Sequence, residues 1–264
     1  MEFVINSLRK DLIKLIHCLE IYLEYCVGKV NVKYISPDIK DIEFDKILSF
    51  NYTTTYEKIY TTNNDKIEYH YIHGKADITN NKFININSRS AINNNLDKNN
   101  MVLGIDEYLD DEAKNKTLEF IAFKKYFQRI YKKTGNTYKK WIEQMEEIHR
   151  EKCESEKNYR ERLTKTMNVA ERNNILSSIE NINKNNNEVY IFGHSLDVTD
   201  KDIIKELIEC PDTVTKIFYY DKDVYAQQIA NLVKIIGQDE LIKRVSAANP
   251  TIIFKEQQKR IERN

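Results

Sequence analysis

Short runs of β-favouring residues alternate along this chain with segments of helical period, and that alternation restricts it to an α/β fold with a mostly parallel sheet. Ile47, Leu48, Ser49 and Phe50 form a buried-strand pattern, and Thr54 with Glu57 reads as a capping box opening the next helix. Glu68 to Ile72 reads as a second strand ending at His73-Gly74, and Met101 to Leu103 as a third ending at Gly104. Farther on, Val189 to Phe192 run into Gly193, and Thr199 and Asp202 cap a helix carrying Ile203, Leu207 and Ile208. Ile217 to Tyr219 make the next strand. Helices over 223–236 and near Leu241 then lead to a last strand from Thr251 to Phe254.

Other segments are helical or irregular. At the start, Leu8, Leu12, Leu15, Ile16, Leu19, Leu23 and Val27 lie at helical spacing, with Lys10, Lys14, Glu20 and Glu24 on other faces and Gly28 as a stop. The Asn-rich stretch 79–100 has no period and reads as a surface loop. Residues 107–186 read as a helical insertion, with Phe120, Phe123, Phe127 and Tyr131 on one stripe. The whole, 1–264, is expected to form a single α/β domain.

Composition excludes several classes. Lys+Arg 41 against Asp+Glu 41 leaves no net charge, so no global field draws the chain to nucleic acid or acidic lipid. No apolar run reaches the roughly 18 residues of a membrane helix, and the start Met1-Glu2-Phe3-Val4 lacks a basic flank. A soluble, cytoplasmic protein is expected, with no membrane partner. Its four cysteines, Cys18, Cys26, Cys153 and Cys210, form no C-x-x-C and are expected to be buried reduced thiols. His149 and Cys153 stand four apart on a helix, but two ligands do not fix zinc, so no metal is expected.

Three turns carry the candidate chemistry: Phe50-Asn51-Tyr52-Thr53, His73-Gly74 and Gly193-His194-Ser195-Leu196-Asp197. Each follows a β-favouring run, and α/β folds keep their sites at such strand ends. A neutral amide, an imidazole and a hydroxyl beside glycine suit glycosidic chemistry on a nucleotide. Each turn also has a structural reading: Asn51 as a helix cap, His73 bonded to a carbonyl, 193–197 as a tight strand-to-helix turn. Asp106 and Glu107 read either as ribose or metal ligands or as a solvated loop start. Gly193-His194-Ser195 opens like a nucleophile elbow, but Asp197 stands where the second glycine belongs. Lys124, Lys125, Arg129, Lys132, Lys133, Lys139 and Lys140 form a basic stretch that leaves nucleic-acid binding open.

The motifs from Leu48 to Thr53, Ile72 to Lys75, Leu103 to Glu107, Lys125 to Arg129 and Ile191 to Asp197, in that order across 45–225, resemble the AbiH family of bacteriophage abortive infection. More loosely they are similar to sirtuin-like, Rossmann-like folds. The resemblance implies a phage-defence role and cleavage of the nicotinamide–ribose bond of NAD. Asn51 would place water or a ribose hydroxyl and His73 would act as general base, with no cofactor required beyond NAD as substrate. Phe50, Tyr52, Thr53, Gly74, Gly193, His194, Ser195 and Asp197 would contact the nucleotide. Thr53 stands where the sirtuin-like pattern has an Asp. No G-x-G occurs, so the chain is expected to lack the family's N-terminal glycine-rich turn and to be either active without it, an inactive truncated member, or a non-catalytic sensing or nucleic-acid-binding module. The phage trigger is not named by these residues. The surface from Phe123 to Tyr131 is open to self-association or to core packing.

Overall fold

A computed structural model of the chain describes residues 2–61, 66–77, 99–104, 118–165, 168–184 and 187–263. Its contacts cluster into two compact units, 1–137 with 259–264, and 138–258. The described strands are short and form small parallel sheets within a largely helical, mixed α/β chain.

The first unit opens with α1 (Glu2–Tyr25), then β1 (Tyr34–Ile35) and α2 (Pro37–Lys40). Ser36 caps α2, its Oγ accepting from Asp38 N–H at 3.3 Å, and Pro37 sits at the first helical position, where its missing N–H costs nothing. Next come β2 (Lys46–Ser49), α3 (Thr55–Tyr60) and β3 (Glu68–Tyr71). β2 and β3 pair in parallel from Lys46↔Glu68 to Ser49↔Tyr71, and Ile72 N–H extends the ladder to Ser49 O at 3.0 Å. A 3-10 helix, Leu118–Phe123, leads into α4 (Lys125–Lys132), and α5 (Thr137–Lys165) begins at the boundary of the unit.

The second unit holds α5, α6 (Val169–Lys184), β4 (Asn187–Ile191), α7 (Lys201–Glu209), β5 (Thr213–Tyr219), α8 (Lys222–Ile236), α9 (Gln238–Ser246) and β6 (Ile252–Glu256). β5 is central and pairs in parallel with both β4 and β6. Ile217 and Ile252 from this sheet meet Ile204, Ile208, Leu232 and Leu241 from the helices in one buried cluster. Asp221 caps α8 by accepting from Val224 N–H at 2.8 Å. The chain then returns to the first unit as β7 (Ile261–Glu262), antiparallel to β1 with Tyr34↔Glu262 in register.

Several expectations from sequence are corrected. In α1 the apolar stripe is rotated: Leu8 and Leu15 are exposed, while Glu20, expected on a solvated face, is only 1% exposed beside buried Ile16. Met101 to Leu103 are not a strand, because Gln128 occupies backbone groups a neighbouring strand would take, accepting from Leu103 N–H and donating to Leu103 O, both at 3.1 Å. Neither expected capping pair forms. Thr54 makes no side-chain cap, and Thr53 Oγ1 lies instead 2.8 Å from Thr55 Oγ1. Ahead of α7, Asp197 accepts from Thr199 N–H in a 3-10 turn, Val198–Asp200, that precedes the helix. Phe120 and Tyr131 of the aromatic stripe are exposed, and so are Cys18, Cys26 and Cys153, leaving only Cys210 buried. The expected loop over 79–100 lies largely outside the described residues. No helix among the described residues is long and apolar enough to cross a membrane.

Leu232→Ala should cost about 3 kcal/mol of folding stability, the usual range for a fully buried leucine. Leu15→Ala, a helical site 57% exposed, should change stability by no more than about 0.5 kcal/mol. Urea unfolding of both variants checks the rotated stripe, and a large loss at Leu15 would contradict it.

Candidate functional site

The first candidate site lies where β2 and β3 end. Asn51 and His73 each stand two positions beyond the last register pair, Ser49↔Tyr71, in the turns that leave the C-terminal ends of β2 and β3. Ser49 shapes the turn: Asn51 N–H donates to its Oγ at 3.2 Å, and that hydroxyl donates to Asn51 O at 3.2 Å. This fixes the Asn51 backbone and leaves its side chain exposed. His73 is different, being 5% exposed, with Phe50 edge-on to its ring at 5.8 Å between centroids. Tyr52 donates its hydroxyl hydrogen to Val102 O, and Thr53 is tied to Thr55.

Gly74 closes the second turn. Its φ is +73°, and a Cβ there would stand 2.0 Å from Asn100 O, so only glycine fits. The 99–102 segment lies against this turn: Val102 N–H donates to His73 O at 2.8 Å and Lys75 N–H donates to Asn100 Oδ1 at 3.1 Å. Buried charge holds both strands of this loop pair. Lys132 Nζ donates to Asn99 Oδ1 at 2.8 Å and to Met101 O, while Asp77 N–H donates to Glu20 Oε1 at 3.5 Å. Burial pushes the Glu20 carboxyl above the usual range, against the opposing pull of the Asp77 N–H, of His17 at 3.4 Å and of the Lys132 charge. His70, on β3, is buried with Nε2 3.3 Å from Thr134 O, and burial lowers its pKa, so it is held neutral. Sequence reasoning missed Glu20 and Lys132; the signal available was an acid placed four residues after Ile16 in an apolar stripe.

In the second unit, Gly193-His194-Ser195-Leu196-Asp197 follows β4 as a turn whose polar side chains are committed to its own backbone. His194 Nδ1 accepts from Leu196 N–H at 2.9 Å, and its Nε2 lies 3.7 Å from Asp200 Oδ2. Leu196 has φ +58°, a conformation disfavoured for a branched residue, and is held there by that bond and by full burial. From α8, Gln228 Nε2 donates to His194 O at 3.1 Å and to Phe218 O at 3.2 Å, while Asn231 Nδ2 donates to Ser195 O at 3.0 Å. These two amides, three apart on a buried helix face, shape the turn and were not singled out from sequence. Gly193, at φ +68° with open space where a Cβ would be, and Ser195 are the exposed members.

Of the basic stretch, Lys124 is buried, Lys132 is turned inward as described, and Lys139 pairs with Glu206 at 2.7 Å. That leaves fewer cations for a phosphate backbone than the sequence presents. Asp106 and Glu107 lie outside the described residues.

A model of the bacteriophage abortive infection AbiH family matches residues 2–220. The chain belongs to the AbiH family. The match takes in Asn51, His73 and the 193–197 turn, and membership gives this AbiH protein a role in abortive-infection defence against phage. No curated protein and no solved structure matches it.

Gly74→Ala should destabilise by more than about 3 kcal/mol, since a left-handed φ and a backbone collision add. Gly193→Ala meets only the φ penalty of about 1–2 kcal/mol. Thermal unfolding of the two compares them directly, and equal losses would contradict the packing of Asn100 on Gly74. Because the folded Glu20 carboxyl binds its proton more readily than the unfolded one, its contribution to stability is full below the ordinary Glu pKa and is lost as pH rises through the raised value. Glu20→Gln should therefore flatten the pH dependence of stability above the ordinary Glu range, in the sense that wild type loses more on going alkaline.

Proposed function

We propose that this AbiH protein defends against phage by cleaving the N-glycosidic bond between nicotinamide and ribose in NAD or a related nucleotide, at the ends of β2 and β3. What supports this reading is that Asn51 and His73 lie in the turns just past the C-terminal ends of two paired parallel strands, the region where α/β folds bind nucleotides. On this reading each small parallel sheet, taken with its own following helices, is a Rossmann-like element of the kind the sirtuin-like resemblance implies.

The chemistry needs little. As nicotinamide leaves, its bond to C1′ breaks and positive charge gathers on the ribose. The exposed Asn51 amide orients a water molecule, whose oxygen bonds to C1′ while His73 takes its proton. Phe50 meets the buried His73 ring edge-on, so substrate must reach His73 past this contact. Tyr52, Thr53 and Gly74 border the same turn. Within the second unit, Gly193 and Ser195 are the exposed members of their turn, whereas His194 and Asp197 bond the turn's own backbone.

The burial of His73 favours a second reading, in which the protein binds a nucleotide without cleaving it. Incubation with NAD, followed by chromatography for nicotinamide and by calorimetry for binding, separates the two. Nicotinamide release that falls about 100-fold or more in Asn51→Ala and His73→Ala supports the hydrolase. Binding without release supports the sensor, and neither binding nor release, with and without phage components, overturns both.

A further inference from the structure

His149 and Cys153 stand out in the sequence, and the reading above leaves both unused. The fold adds a third residue. Cys153 Sγ lies 3.5 Å from His149 Nε2, and His149 Nδ1 lies 3.0 Å from Asp212 Oδ2. Asp212 sits just before β5, where its carbonyl accepts from Asn187 N–H at 2.8 Å and Lys152 Nζ donates to Oδ2 at 2.8 Å. Burial opposes its ionisation, but the hydrogen bonds from His149 and Lys152 outweigh burial and hold its carboxyl below the usual range. An ionised carboxylate only accepts, so Nδ1 carries the imidazole hydrogen and Nε2 turns its lone pair to the thiol. Carboxylate, imidazole and sulfur thus form a nucleophile–base–orienter series within one unit.

A metal does not account for this cluster. The carboxylate and the sulfur approach opposite edges of one imidazole, so no single cation position meets all three, and no metal-holding group of three occurs among the described residues. Acyl transfer is also disfavoured, because Cys153 lies mid-helix in α5, where backbone N–H groups are bonded within the helix and none is left to hold an oxyanion. Cys153 is exposed along a groove on α5 lined by Glu156, Lys157, Arg160, Glu161 and Thr164, with Arg160 tied to Glu156 at 2.6 Å. A solvent-open groove on a single helix admits small reagents.

We propose that Cys153 is a nucleophilic thiol served by His149 and Asp212, and that it is a site of covalent modification by small electrophiles, hydroperoxides in particular. Sulfur bonds to one peroxide oxygen as the O–O bond breaks, and the thiol proton passes to His149 Nε2 and then to the departing hydroxide. The products are a sulfenic acid and water, the sulfur oxidised by two electrons and the peroxide reduced.

Cys18 and Cys26, exposed in the same chain, are internal references. The full chain is treated with hydrogen peroxide and a dimedone trap, and labelling is followed site by site by mass spectrometry. Cys153 should label about 100-fold faster than Cys18 and Cys26, the lower end of the range expected of a positioned base. His149→Gln and Asp212→Asn should bring it down to the reference rate with the references unchanged, asparagine being chosen because it tolerates the +51° φ at 212. Labelling of Cys153 no faster than the references, or unaltered by His149→Gln, overturns the proposal.

Discussion

Loop backbone carried to the ends of short strands must find partners for its N–H and C=O groups, and here side-chain amides supply them. Gln128 takes both backbone groups of Leu103, while Gln228 and Asn231 take the carbonyls of His194, Phe218 and Ser195. All three amides are buried. Truncation of Gln228 would leave the carbonyl of buried Phe218 without this donor, at about 1–3 kcal/mol. Side-chain amides thus bond the backbone of the 193–197 turn and of the segment at Leu103 where no strand ladder does.

Much of this architecture is legible in the chain. Strands such as Ile47 to Ser49 and Val189 to Ile191 announce themselves through β-favouring residues between turn signals, and α8 through its apolar period. What the pattern hides is long-range pairing. The antiparallel partnership of Tyr34 with Glu262 joins residues far apart in sequence through strands of two residues each, too short to leave a period. The loss of a strand at Met101 to Leu103 has a similar cause, since nothing local reveals that Gln128 competes for the same backbone groups. Glu20 misleads in the opposite direction, because a carboxylate among polar neighbours reads as solvated until His17, Asp77 and Lys132 are brought around it.

The candidate site shows the same division. Asn51, His73 and Gly74 could be found from their strand-end positions, and the steric demand at Gly74 explains that residue by packing alone. For His194 and Asp197 the fold supplies a plainer role than ligand contact, because each satisfies a backbone N–H within its own turn. Membership of the AbiH family fixes the biological setting, abortive-infection defence against phage.

The pairing of β1 with β7 has a consequence for how the molecule is made. The second unit is threaded between the two segments of the first, so a ribosome must deliver all of 138–258 before Tyr34 can meet Glu262. The nested unit has every strand of its sheet available while the enclosing one still waits for an edge. Synthesis therefore leaves the β1–β7 pairing to form only after the whole of 138–258 has emerged.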